Sequence, residues 1–241
     1  MVTRPAAPVS QPDLEPRIMT ALITMTVVTG FVDAVSYLGL GHVFTANMTG
    51  NVVLMAFALA RERELSFLHS FVSLASFMSG AVIGGRLARS MKRSSRQRWL
   101  LSAGMMEAVL LFAAGFAAFH FDVKMQAPEG RLYALILLTA VAMGLRTATV
   151  RALGIPDITT TVLTTIVTEL AADSPLAGGN SPRTRRRIAS VLAMFGGAAL
   201  GTLMLRVGLM LPLIVGGACI LAATIGYAVT GTGKSLQDSV S

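Results

Sequence analysis

The sequence predicts an all-α, polytopic membrane helix bundle. It should make about six net crossings, from two inverted repeats that each carry a broken or re-entrant segment. Three observations predict it. Hydrophobic residues make up 54% of the 241 and charged residues only 13%, with a mean hydropathy of +0.68, whereas a soluble domain carries about 25% charged residues. Eight apolar segments follow one another, several of them near the roughly 20 residues that a spanning helix needs. Third, the chain states one pattern twice. Gly30-Phe31-Val32-Asp33 leads through a glycine-rich break to Phe44-Thr45-Ala46-Asn47-Met48-Thr49-Gly50-Asn51. About 115 residues later Gly144-Leu145-Arg146 leads through a second break to Thr159-Thr160-Thr161-Val162-Leu163-Thr164. Repeated, interrupted, polar-bearing segments in an apolar chain are the pattern of membrane transporters.

Residues 1–17, with Pro5, Pro8, Pro12 and Pro16, read as a disordered cytosolic tail. A cleaved signal is not expected there, because the apolar region after Arg17 is longer than a signal h-region and no A-x-A-like site closes it. The membrane domain covers 18–230, with one repeat over 18–120 and a second over 131–230, and a polar tail over 231–241. Apolar segments fall at 18–38, 43–60, 66–88, 99–120, 131–151, 157–172, 187–206 and 210–230. Their length and poor alternation predict helices.

Charge between the segments sets topology. Arg86, Arg89, Lys92, Arg93, Arg96 and Arg98 crowd one loop, and Arg183, Arg185, Arg186 and Arg187 another. Both belong inside by the positive-inside rule. The mixed run Arg61-Glu62-Arg63-Glu64 and the sparsely charged 122–131 loop belong outside. If all eight segments spanned, three crossings would separate the Arg-rich loops and put them on opposite sides. One net crossing from 131–151 with 157–172 restores the rule, and the same for 18–38 with 43–60 places both termini in the cytoplasm. Eight full crossings with parallel repeats is the rival reading. Broken backbone at such depth requires cover by protein or a water-filled cavity.

Intramembrane charge costs about 2.5–3.5 kcal/mol at a helix centre, so Asp33, Glu107 and Arg146 need a reason. Glu107 and Arg146 arrive at similar depths on helices running opposite ways and are expected to form an intramembrane ion pair. The competing reading is a structural pair holding neighbouring helices together. Substrate-binding candidates are Asp33, Asn47, Thr49 and Asn51 in the first half and Asp157, Thr161 and Thr164 in the second. Asn47 and Asn51 share a helix face; Asp157, Thr161, Thr164 and Thr168 form a polar stripe opposite Ile158, Val162, Ile166 and Leu170. Half-helix N-termini offer free N–H groups to an anion. The competing reading of each Thr or Asn is interhelical packing. If the two motifs act as one unit, they should meet at the midplane in a shared cavity.

Gly80-x-x-x-Gly84 and Gly197-x-x-x-Gly201 are motifs for close helix approach. Cys219, the single cysteine, excludes an internal disulfide and reads as a packing thiol. His42, His69 and His120 lack ligand spacing, so no metal is expected. Gly39-Leu40-Gly41 is no dinucleotide loop, and no other cofactor motif is present. The net charge of +8 lies in loops that set orientation and does not imply nucleic acid.

The stretch from Gly30 to Leu38, followed by Val43-Phe44-Thr45-Ala46-Asn47-Met48-Thr49-Gly50-Asn51, resembles the signature of the YoaK-like bacterial inner-membrane proteins. Asp157-Ile158-Thr159-Thr160-Thr161-Val162-Leu163-Thr164 fits as well. The resemblance implies a multi-pass bacterial inner-membrane protein and carries no substrate or catalytic residue. The leading expectation is a small secondary transporter or permease for a polar or anionic solute, with Asp33 as a candidate for proton coupling. A membrane scaffold or sensor is the alternative. An enzyme is not expected, since no nucleophile motif is present. Partners would be the lipid bilayer, the solute and, for so small a bundle, a second copy in a homodimer.

Overall fold

The computed structural model describes residues 16–62, 64–91, 94–153, 163–180 and 184–231, with side chains for all of these except 16–18, 96 and 229–231. Eight α-helices appear among them: α1 Pro16–Gly39, α2 Met48–Leu59, α3 Phe67–Ser90, α4 Arg96–Ala117, α5 Glu129–Ala152, α6 Leu163–Ala172, α7 Thr184–Leu205 and α8 Met210–Gly231. Six are long and apolar enough to cross a membrane; α2 and α6 are too short. Large apolar side chains such as Phe57, Phe71, Val109, Phe116, Leu192 and Phe195 point outward. That is the expected arrangement where lipid, not water, is the solvent.

Glycines set the closest helix contacts. A Cβ on Gly197 would come within 2.9 Å of the Val27 backbone, and one on Gly201 within 2.9 Å of that of Phe31. The paired sites advance together, so α1 and α7 are parallel. Gly80 against Val141 and Gly84 against Leu145 do the same for α3 and α5. By contrast, Gly104 meets Thr224 while Gly115 meets Ile214, so α4 and α8 are antiparallel.

End-to-end contacts fix the remaining directions. The start of α1 lies with the ends of α5 and α8, where Met19, Leu22, Val150, Leu153 and Tyr227 pack together. Gln97 near the start of α4 donates to the Ala228 carbonyl of α8. At the opposite face Gln126 donates to the Gly39 carbonyl at 3.2 Å, and His69 packs edge-on against Tyr133. The six long helices therefore alternate in direction along the chain. Since α1 and α3 are antiparallel, α2 adds no net crossing, and neither does α6 between α5 and α7. Six crossings follow, not eight. The helix ends carrying Arg86, Arg89, Arg98 and Arg185 lie at the face where α1 starts, called here the basic face.

The break after α1 is a re-entrant loop. Gly41 and His42 adopt left-handed backbone, with φ of +78° and +56°, which turns the chain back into the bundle. Ala46 N–H then donates to Asp33 Oδ1 at 3.1 Å, and the Ser73 hydroxyl to the Phe44 carbonyl at 2.6 Å. Both Asp33 and Ser73 lie six residues inside their helix ends, so the loop descends about 9 Å.

The two halves pack alike. Contacts of α3 with α5, α4 with α5 and α2 with α3 have counterparts in α7 with α1, α8 with α1 and α6 with α7. Gly30 faces Met194 and Ala198; Gly144, its counterpart, faces Phe77 and Ala81.

Candidate functional site

Glu107 on α4 and Arg146 on α5 meet at the centre of the bundle, and they are the side chains that most need explaining. Arg146 Nε donates to Glu107 Oε1 at 2.6 Å, and a second guanidinium nitrogen donates to the same oxygen. Its third nitrogen donates to the Met25 carbonyl and to Thr29 Oγ1, each at 2.7 Å. Both side chains are buried, at 1% and 2% exposure. The guanidinium thus links α1, α4 and α5. In an apolar bundle it could not remain charged without such partners.

A cleft leads from this pair toward the basic face. It holds about 40 Å³, room for roughly two or three waters. Its walls are Leu22 and Met25 of α1, Ala103 of α4, Thr149 of α5, and Thr224 and Tyr227 of α8. The Thr149 and Thr224 hydroxyls donate to carbonyls of their own helices, Leu145 and Ile220, leaving their lone pairs free to accept. The cleft is an apolar shaft with a cation and a carboxylate at its floor.

The two short helices that follow the motifs do not meet. The α2 helix packs on α3, and α6 on α7 and the 3-10 turn Pro175–Ala177; α2 and α6 have no contact with each other. Opposed helix directions put the two short helices at opposite faces, so each packs on its own neighbour. Asn47 caps α2, accepting from Gly50 N–H at 3.4 Å, and is exposed, as is Thr49. Asn51 is fully buried but already satisfied. Its Oδ1 accepts from Phe44 N–H at 2.9 Å and its Nδ2 donates to the Phe44 carbonyl at 2.6 Å. Thr164 is exposed and its carbonyl accepts from the Thr168 hydroxyl at 2.9 Å, while Ile166 alone of α6 is buried. The polar stripe of α6 therefore faces outward over its described part. Asp157 and Thr161 lie outside the described residues. Asp33 is buried one helical turn beyond Thr29 on α1, where it accepts from Ala46 N–H.

Sequence reasoning placed Glu107 and Arg146 together but did not identify Thr29, Thr149, Thr224 or Tyr227. Nothing in a lone helical threonine marks it as cleft lining. Arg187 was read as part of an orientation signal. It is instead buried, bridging Glu169 at 2.9 Å and Asp173 at 2.7 Å, and so ties α6 to α7.

Fold and site define a compact polytopic helical membrane protein with a charged pair at its centre. The chain belongs to the family described as protein of unknown function DUF1275, whose model matches residues 21–226, and it is YoaK-like. It is 32% identical over 154 residues to the UPF0700 transmembrane protein YoaK of Bacillus subtilis (strain 168), a match covering 64% of this chain and 66% of that relative. No solved structure matches it.

Proposed function

We propose that this protein is a small secondary transporter or permease of the bacterial inner membrane, and that its polar or anionic solute enters through the cleft that ends on Glu107 and Arg146. The buried ion pair at the floor of a small cleft carries the reading. A structural tie between helices needs no opening beside it, and a scaffold could replace the pair with apolar side chains at no loss. A solute anion can compete with Glu107 for the guanidinium, and a solute donor with Arg146 for the carboxylate. Asp33, one turn further along α1 than the Thr29 that binds Arg146, is the further carboxylate through which a proton would couple. The role is binding and passage, not catalysis.

Three features support a transport architecture built from inverted repeats. The halves run in opposite directions, their helix contacts correspond pair by pair, and at least the first contains re-entrant backbone. Such halves related across the membrane plane are a common transporter plan. Placing the Arg-rich loops inside puts both termini in the cytoplasm and opens the cleft to the cytosol. A homodimer would enlarge this small bundle without altering the path.

Metabolite exchange in cells lacking or overproducing the protein tests the proposal, with Glu107→Gln and Arg146→Gln as comparators. The expected result is a change in one class of small polar or anionic metabolite that either substitution abolishes. Unchanged exchange on overproduction, or full activity in both folded variants, would sink it.

A further inference from the structure

The cleft has a counterpart that is closed. Matching contacts define the correspondence between halves. Gly197 meets Val27 as Gly80 meets Val141, and Gly201 meets Phe31 and Ala34 as Gly84 meets Leu145 and Ala148. Every residue of α1 thus corresponds to the one 114 positions later in α5. In α4 and α8 the buried positions Ala103, Gly104, Glu107 and Leu111 correspond to Gly216, Gly217, Ile220 and Thr224. The cleft is lined by α1, α4, α5 and α8, the four helices that the correspondence exchanges among themselves. Its image therefore lies between the same four helices, at the face opposite the Arg-rich loops.

At that image the structure is packed solid. Leu22, Met25, Thr149 and Tyr227 of the cleft map to Ile136, Thr139, Val35 and Ala114. Val35, Ala114 and Ile136 belong to one buried cluster that also takes in Leu40 and Val43 of the re-entrant loop. Thr139 and Ser36, the image of cleft residue Val150, are fully buried hydroxyls that donate to carbonyls of their own helices, Leu135 and Ile136 for Thr139 and Asp33 for Ser36. A hydroxyl spends nothing in such a position and leaves an acceptor for a second conformation.

We infer that these positions form a second solute vestibule, open to the face opposite the Arg-rich loops when the cleft at Glu107 and Arg146 is shut. The inference rests on the transport reading above and gives the path its exit. Opening it requires the 40–47 loop to release Asp33 of α1 and Ser73 of α3 and withdraw, while the glycine-packed pairs α1 with α7 and α3 with α5 stay intact.

Thiol accessibility tests this in the full-length protein carrying Cys219→Ala, with methanethiosulfonate ethylsulfonate applied from the face of the 118–128 loop. Thr139→Cys and Ser36→Cys should react on the order of 10- to 1,000-fold more slowly than exposed Lys124→Cys, as expected for a conformer populated at about 0.1–10%. Ala140→Cys, equally buried but outside the image of the cleft, should not react. Substitution of serine or threonine by cysteine changes little volume, and gel filtration confirms folding. If Thr139→Cys and Ser36→Cys are as inert as Ala140→Cys, the vestibule is overturned. The cleft itself is judged separately, by the Glu107 and Arg146 variants and by Met25→Cys labelling from the basic face. Reaction at all three buried cysteines would show general loosening and would overturn it as well.

Discussion

Asn51 and Thr49 stand two residues apart on α2 and do different work. The amide of Asn51 closes a two-way hydrogen-bond ring on the N–H and C=O of Phe44, deep in the bundle, whereas the Thr49 hydroxyl faces out. Removing the amide leaves the Phe44 N–H buried and unpaired, a cost of about 1–3 kcal/mol. Asn51→Ala should therefore lower the thermal unfolding temperature in detergent markedly, and Thr49→Ala should leave it within about 0.5 kcal/mol of wild type. Equal effects of the two substitutions would contradict the assignment. The sequence made both residues visible as polar groups in apolar surroundings but could not say which was already satisfied, because the partner is a loop peptide that only the folded turn brings near. Glu107 and Arg146 were legible for the opposite reason. Isolated full charges at matching depth have few ways to be neutralised, and pairing is the cheapest.

At the level of the helix, glycine spacing reveals that a close approach exists but not with which neighbour. Gly80 and Gly84 press on α5, and Gly197 and Gly201 on α1, each a helix of the other half. Association in lipid is driven by such packing, since tails solvate leucine as well as another helix does. Gly80→Ala places a methyl group against the Val141 carbonyl and should cost about 1–3 kcal/mol through overpacking. Gly196, one residue from the motif glycine of α7, has open space around it. Gly196→Ala should be neutral or stabilising by up to about 1 kcal/mol, the helix-propensity gain. Chemical or thermal unfolding of both variants in the same detergent decides between packing and propensity as the reason for these glycines. The short helices were harder to read: 43–60 looked long enough to approach a span, yet only Met48–Leu59 is helical. The preceding residues follow Gly41 into a descending loop held by Asp33 and Ser73, and hydropathy averages over that change of backbone.

For the whole molecule, charge bias and geometry agree without depending on each other. The positive-inside rule counts crossings from arginines in loops; the contacts of glycines and helix ends count them from backbone direction alone. Both require an even number of crossings between the two Arg-rich loops, which α4 and α5 supply while α6 supplies none. That the short helices sit at opposite faces, and so do not meet, follows from the alternating helix directions. Impermeant maleimide labelling in a Cys219→Ala background tests the arrangement. Ser94→Cys and Asn180→Cys should label together in inverted vesicles and remain protected in intact cells. Lys124→Cys, at the other end of the bundle, should show the reverse. If Ser94→Cys and Asn180→Cys label from opposite sides, α6 crosses the membrane. The correspondence between halves then fails, and the second vestibule fails with it, because its residues were located by that correspondence.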